Sequence, residues 1–245
     1  MNKSRGVVNM ARKTDCLLCG EELIYLDKPK KIPCIFCNNL FETEVTCINN
    51  HYVCDNCHRM NADDLIQKIC IQTKETNPFT LAETLMNHET FHMHGPEHHF
   101  LVPAVLLTTY YNSIKQYDNK KEKIELARER SSKILGGFCG THGVCGAAIG
   151  TGIFISIITA SNPLKKKEWH LSNLITAQSL ETIAKHGGPR CCKRNTYLSF
   201  YTAIDFVKTH FNTVIPHDTE KQCYFSQLNK ECIQFKCPYF AITEE

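Results

Sequence analysis

Four closely spaced pairs of cysteine and histidine residues dominate the first quarter of the chain. They are Cys16/Cys19, Cys34/Cys37, Cys47/His51 and Cys54/Cys57. A Cys-x-x-Cys turn directs two thiolates toward one point, and two pairs complete a tetrahedron around zinc with Zn–S distances of about 2.3 Å. The eight ligands therefore predict two structural zinc ions in a small module over residues 16–60, of the zinc-ribbon or RING-like treble-clef kind.

The spacing leaves the pairing of these ligands open, either sequential or interleaved. His58 is a spare ligand that could replace Cys47 or His51. A segment this short buries little apolar surface, so we expect metal to supply its stability. Fully occupied tetrahedral sites keep no open position for a substrate, so the module is expected to be structural or a platform for a partner.

Cysteine usage also indicates the compartment. The chain has 15 cysteines in 245 residues, and its N-terminal sequence has no apolar segment typical of a secretory signal. Clustered thiols in a reducing compartment are metal ligands or redox groups more often than disulfides, so a cytoplasmic protein is expected. The net charge of +3 disfavours nucleic acid as the main partner, although lysine-rich runs at residues 28–31 and 165–167 keep that alternative open.

The remainder of the chain is predicted to be mainly α-helical. Residues 1–15 are expected to form a disordered tail, and residues 61–245 a helical domain, because apolar residues recur there at helical spacing and strand patterns are sparse. Residues 143–160 are uncharged and largely apolar. Gly, Ser and Thr dilute their hydrophobicity, so a buried helix is favoured over a transmembrane one, and no membrane association is expected.

A second group of histidines and cysteines is spread over three segments of this helical domain. The first segment is rich in histidine, the second in glycine, and the third is the string GGPRCCKR at residues 187–194. The candidate catalytic residues are Glu97, His98, Arg190, Cys191 and Cys192. The candidate cofactor-binding residues are His99, Cys139, His142, Cys145 and Cys223.

The string GGPRCCKR is the most suggestive of chemistry. Pro189 is expected to begin a helix whose first turn carries Cys191 and Cys192, where the helix dipole and unpaired N–H groups favour anions. Together with the flanking cations, this position is expected to lower the thiol pKa values. Adjacent cysteines on a helix point in different directions, so one should serve the site while the other packs. Alternatively, this string binds a phosphate or carboxylate ligand. For the other two segments, the alternatives are that the histidines lie on the surface and that the glycines only allow close helix packing.

Several strings carry a resemblance to known families. CINNHYVCDNCH, HGPEHHFLVPAVLL, GFCGTHGVCGAAIGTGIFISI, LSNLITAQSLETIAKHGGPRCCKR and NKECIQFKCP together resemble an uncharacterised family of anaerobic archaea and bacteria, over residues 16–240 or nearly so. In that family the domain sometimes follows a methyltransferase domain.

A looser similarity is to the redox-active C-GCAxxG-C-C family. Cys145-Gly146-Ala147 matches its CGA element, Cys191 or Cys192 its next cysteine, and Cys223 its late one. The opening cysteine of that family is absent here, and residues 97–99, Glu-His-His, stand in that region. This departure favours mixed His/Cys metal ligation.

Three functions are compatible with these residues. The first, favoured here, is a metal- or iron–sulfur-dependent redox or sulfur-handling enzyme, in which Cys139, Cys145 and Cys191 or Cys192 hold a cluster, or a second-site iron or zinc. The second is a non-catalytic zinc-binding module for protein or nucleic acid. The third is methyl or sulfur transfer by a thiolate of the Cys191–Cys192 pair. The partner is then a small-molecule substrate or a redox partner, with the oligomeric state open.

Overall fold

The computed structural model describes residues 16, 19, 21–54, 57 and 60–241. The expected tail at residues 1–15 and the spare ligand His58 lie outside the described residues. Within the described part of the chain, no helix is both long enough and apolar enough to cross a membrane.

A two-stranded antiparallel hairpin is the scaffold of the N-terminal module. Strand β1 spans Leu23–Pro33 and strand β2 spans Leu40–Cys47. Leu23 lies opposite Cys47 and Pro33 opposite Leu40, with an irregular register in between. Most side chains of β1 are exposed, and only the last two of β2 are buried, so the hairpin has almost no core of its own. It therefore needs other elements to hold it, as expected for a module of this size.

Eight helices follow in the described residues. The first four are α1 (Ala62–Gln72), α2 (Pro78–Met86), α3 (Glu97–Ser113) and α4 (Lys120–Ser131). The next four are α5 (Phe138–Thr141), α6 (Gly146–Ile158), α7 (Lys166–Lys185) and α8 (Cys192–Phe211). Two short 3-10 turns, Ser226–Leu228 and Gln234–Lys236, lie in the C-terminal segment. The predicted fold class, mainly α with a preceding Cys/His module, is confirmed.

Helices α3 and α6 form the centre of the helical part, and both are buried along most of their length. Helix α6 packs against α3, α7 and α8. Glycine makes the approach to α3 close, because a Cβ atom on Gly150 would lie only 2.9 Å from Cδ of Pro103. The uncharged stretch that contains α6 is therefore a buried helix with a small-residue face, as the sequence favoured.

The N-terminal module and the helices share one hydrophobic core, to which Cys34 and Phe36 contribute from the module. His88 connects the two parts. Its Nε2 donates to the carbonyl of Cys57 at 3.1 Å, and its Nδ1 accepts from the amide of Thr90 at 3.3 Å. Its ring also packs edge-on against Phe36, with centroids 4.8 Å apart. His88 is fully buried, and these contacts join the N-terminal module to the helical part.

Candidate metal centres and a thiol-lined cavity

The eight predicted zinc ligands form two groups of four. One group is Cys16, Cys19, Cys47 and His51, and the other is Cys34, Cys37, Cys54 and Cys57. Within each group all four ligand atoms lie within 4.8 Å of one another. The first pair along the chain thus joins the third, and the second joins the fourth. This interleaved arrangement resolves the pairing that spacing alone left open.

The distances within each group suit a single tetrahedral ion. Metal–sulfur bonds of 2.3 Å in a tetrahedron place the sulfur atoms about 3.8 Å apart. The Sγ atoms of Cys19 and Cys47 are 3.8 Å apart, and those of Cys37 and Cys54 are 3.9 Å apart. Nδ1 of His51 lies 3.3 Å from Sγ of Cys19. Both groups can therefore hold zinc or another metal of the same geometry.

Burial acts on the protonation states of both kinds of ligand, imidazole and thiol. Burial lowers the pKa of His51, which keeps the imidazole neutral and able to donate its lone pair. Burial and the neighbouring thiolates raise the pKa of Cys57, so four closely packed thiols need a cation to become thiolates together. Lys68 of α1 also donates to Sγ of Cys57 at 3.6 Å. Backbone amides of Cys54 and His51 donate to ligand sulfurs at 3.4 Å.

A separate cavity of about 710 Å³ lies between the glycine-rich segment, α7 and the start of α8. We call it the thiol cavity, because Cys139 and Cys145 line it. The start of α8 and the residues just before it contribute Arg190, Arg194 and Asn195 to the same lining. Of the sequence candidates, the structure thus brings together two cysteines and Arg190.

Cys145 is the better placed of the two cavity thiols. It caps the N-terminus of α6, and its own side chain makes no capping hydrogen bond. Nδ2 of Asn195 donates to its Sγ at 3.4 Å. A helix N-terminus and an amide donor both stabilise negative charge on sulfur. Cys139, by contrast, is exposed.

Arg194 is a cavity residue that the sequence candidates did not include. It is only 3% exposed, and its Nη2 donates to the carbonyls of Gly187 at 2.7 Å and Pro189 at 3.1 Å. Its Nη1 is buried without a hydrogen-bond partner among the described residues. The three cations of PRCCKR were visible in the sequence, but the burial of Lys193 and Arg194 was not.

Cys191 and Cys192 lie in different surroundings. Helix α8 begins at Cys192, so Pro189 precedes the helix instead of opening it, and Cys191 is the cap that accepts from the amide of Arg194 at 3.4 Å. Burial, with a smaller contribution from the nearby thiol of Cys145, raises the pKa of Cys192 to about 11. The pKa therefore moves opposite to the sequence-based expectation, because burial outweighs the nearby positive charge.

No described residue of the histidine-rich segment lines the thiol cavity, although the ring of His99 lies against Gly146, next to Cys145. Glu97 lines a different cavity, of about 640 Å³, next to α1 and α4. His98 is buried, its Nδ1 donates to the carbonyl of Gly95 at 3.1 Å, and burial lowers its pKa well below the usual value. Nδ1 of His99 donates to the carbonyl of Ile134 at 3.1 Å. His142 is exposed and bonds to the neighbouring Thr141 at 2.8 Å.

The candidate Cys223 lies with other cysteines instead. A small enclosed cavity of about 20 Å³ is lined by Cys191, Cys223, Cys232 and Cys237. Cys232 and Cys237, both in the string NKECIQFKCP, were not among the sequence candidates. The available signal was their spacing, Cys-x4-Cys-Pro, in a segment with little apolar sequence of its own.

The fold and these groups define a cysteine-rich helical protein with an N-terminal metal-binding module. The chain belongs to a family of unknown function (DUF5714), whose profile matches residues 66–240. Membership of an uncharacterised family, expected from the sequence, is thereby confirmed over the helical part, and the metal-binding module lies before the match. No curated protein and no solved structure matches the chain.

Proposed function

We propose that this protein is a metal-binding enzyme that handles sulfur in small anionic disulfides or persulfides, with Cys145 as the nucleophile. The observation that supports this proposal most is the thiol cavity, where Cys145 shares a lining with the buried, incompletely paired Arg194. In this proposal the two Cys/His groups hold structural zinc and fix the fold beside the catalytic part.

The chemistry requires only a thiolate and a suitable leaving group. The Cys145 thiolate attacks one sulfur of the substrate S–S bond, and a new S–S bond to Cys145 forms. The substrate bond breaks, and the leaving thiolate departs with the electron pair and takes a proton from water. A persulfide donor would leave its outer sulfur on Cys145 without any external oxidant. A disulfide would leave a mixed disulfide instead.

The charge of the cavity favours an anionic substrate. Arg190 and Arg194 both contribute to the lining, and guanidinium groups bind carboxylates and other planar anions through paired hydrogen bonds. Glu181 of α7 also lines the cavity, but its carboxylate pairs with Lys185 at 2.7 Å. The two arginines therefore keep most of their positive charge available for a ligand.

The test compares two disulfide reagents on the zinc-loaded protein. One is dianionic, 5,5′-dithiobis(2-nitrobenzoate), and the other is neutral, 2,2′-dithiodipyridine. We expect Cys145 to react first with the dianionic reagent, located by mass spectrometry of peptides. Arg190→Ala should slow this reaction several-fold and leave the reaction with the neutral reagent nearly unchanged.

Cys139→Ser is the matched control, because it removes the exposed thiol of the same cavity. It should leave the fast phase in place, whereas Cys145→Ser should abolish it. The proposal fails if Cys145→Ser keeps the fast phase, or if Arg190→Ala slows both reagents equally.

One observation favours a second candidate function, an interaction module. Three apolar side chains of the N-terminal module are largely in water: Tyr25 is 77% exposed, Leu40 67% and Ile48 62%. Contiguous exposed apolar patches are typical of protein contacts, whereas single exposed apolar side chains are common on any protein surface. If this surface docks a protein, a partner recovered by cross-linking with the wild type should be lost with Tyr25→Ser/Leu40→Ser, while the reactivity of Cys145 stays unchanged.

A further inference from the structure

The small cavity between the start of α8 and the C-terminal segment has an unusual lining. Four of its residues are cysteines: Cys191 at the cap of α8, and Cys223, Cys232 and Cys237 from the C-terminal segment. We propose that these four residues, here called the cysteine tetrad, hold an iron–sulfur cluster next to the thiol cavity. This extends the proposed function with a redox centre, but it rests on different residues.

The spacing of the tetrad differs from that of the two zinc-type groups. The four thiols are close together, because they line one cavity of only about 20 Å³. Burial and the charges of the other three cysteines together raise the pKa of Cys223 to about 12. Among the described residues, however, only the two N-terminal groups bring three or more ligand atoms within 4.8 Å of one another. A wider set of four thiolates suits a polynuclear cluster, since iron and sulfide atoms then lie between them.

Hydrogen bonds to the tetrad sulfurs follow the pattern of metal-bound thiolates. The amide of Phe225 donates to Sγ of Cys223, and the amide of Gln234 donates to Sγ of Cys232, both at 3.4 Å. Cys191 accepts from the amide of Arg194 at the same distance. Identical 3.4 Å bonds reach two sulfurs of the N-terminal metal groups. Such N–H groups stabilise sulfur-borne charge and tune cluster potentials.

Two buried cations lie next to the tetrad. Lys193 is 1% exposed and Arg194 is 3% exposed. Lys193 donates to the carbonyl of His92 at 3.2 Å and lies 4.8 Å from the ring centre of Phe225. Within the described part of the chain, neither cation has a carboxylate within 4.0 Å, and Glu97 acts on Lys193 only from a greater distance. Buried cations need a counter-charge, and a cluster held by four thiolates is a doubly charged anion.

The C-terminal segment has the character of a metal-stapled loop. It folds back on itself, with the amide of Cys223 donating to the carbonyl of Tyr239 at 2.6 Å, and its regular structure consists of two three-residue turns. Asn229 ties it to α8 by donating to Sγ of Cys191 at 3.7 Å, and its Oδ1 accepts from His94 at 3.1 Å. A loop with so little regular structure gains stability from a cluster.

The tetrad and the thiol cavity are neighbours. Arg194 lines both cavities. Cys191 belongs to the tetrad, and the next residue, Cys192, lies near Cys145. A cluster at the tetrad would therefore be separated from the proposed nucleophile by little more than the first turn of α8. This places an electron carrier beside a site for disulfide or persulfide chemistry.

The test is anaerobic purification and reconstitution of the full chain with ferrous iron and sulfide. Iron, acid-labile sulfide and zinc per chain are measured, together with the visible absorption before and after dithionite. We expect iron and sulfide in comparable amounts, absorption that bleaches on reduction, and two zinc ions. Cys223→Ser and Cys237→Ser should lower iron and sulfide at least five-fold and leave zinc unchanged.

Cys139→Ser and Cys145→Ser are matched controls, and both should keep the cluster. Alkylation mapping of the wild type guards against variants that fail to fold: loading should protect the four tetrad cysteines and leave Cys139 equally reactive. A third zinc in place of iron, no iron in folded protein, or full iron in Cys223→Ser would overturn the inference. Iron content tests this inference, and the labelling of Cys145 tests the proposed nucleophile, so the two can fail independently. We expect Cys223→Ser to lose iron and to keep the labelling of Cys145.

Discussion

Gly146, the first residue of α6, lies directly against the ring of His99. A Cβ atom built on Gly146 would lie 2.0 Å from Cδ2 and 2.4 Å from Nε2 of that ring. The ring is held in place by the 3.1 Å hydrogen bond from its Nδ1 to the carbonyl of Ile134. Gly146→Ala must therefore displace His99 and strain or break this bond.

We predict that Gly146→Ala lowers the free energy of unfolding by about 2–4 kcal/mol. Overpacking of a buried contact costs about 1–3 kcal/mol. Loss of the hydrogen bond to Ile134 adds about 1 kcal/mol. Inside a helix, alanine is more stabilising than glycine by roughly 1 kcal/mol. At the first position of α6, only a fraction of this gain offsets the cost.

Urea unfolding of metal-loaded protein, followed by circular dichroism, measures this value in a double-mutant cycle with His99→Ala. Without the ring, alanine at position 146 has room, so its cost should fall below about 0.5 kcal/mol, with a coupling energy of at least about 1.5 kcal/mol. Gly140→Ala is the control, because no atom of another described part of the chain lies within 4 Å of a Cβ atom there. Additive effects of the two substitutions would refute the packing explanation.

Three further predictions concern the metal groups and the core. Cys19→Ser and Cys37→Ser should each remove about one of two metal ions per chain, measured by plasma mass spectrometry; unchanged content in either would contradict the two-site assignment. His88→Ala should lower the free energy of unfolding by about 2–4 kcal/mol, because it leaves a cavity and removes one of the two hydrogen bonds to the carbonyl of Cys57, which keeps only the bond from the amide of Met60. A loss below about 0.5 kcal/mol in urea unfolding would show that His88 does not hold the module. Burial raises the pKa of Cys70 to about 12, so its thiolate forms in the folded protein only as the pH approaches that value. Iodoacetamide at pH 9 should therefore label Cys70 only after unfolding, and rapid labelling of the native state would disprove this.

The N-terminal metal groups were largely predictable, because a Cys-x-x-Cys pair is a local feature. Cys16 and Cys19 converge whatever the rest of the chain does. Their partners are another matter, since Cys47 and His51 join them only because β2 returns antiparallel to β1. The spacing along the chain therefore identifies which residues are metal ligands. Which pairs share a site depends on the register of the hairpin.

The helices of the C-terminal part were predictable from the sequence, but the grouping of its cysteines into sites was less so. The sequence indicated that Cys191 and Cys192 would point in different directions, and the structure places them in different surroundings. Grouping Cys191 with Cys232 and Cys237 depends on how the C-terminal segment packs against α8, a contact between residues about forty apart. The raised pKa of Cys192 was also not predictable, because positive charge is visible in a sequence and burial is not.

Interleaving has a consequence for the order of events during synthesis. The first two pairs to leave the ribosome, Cys16/Cys19 and Cys34/Cys37, belong to different ions. Neither set of four is complete until His51 and then Cys57 have emerged, almost at the same moment. During most of the synthesis of residues 16–57, a nascent chain thus has only incomplete ligand sets. It then completes both sets in quick succession. Metal capture marks the completion of the hairpin, and a chain stalled before residue 51 holds neither ion firmly.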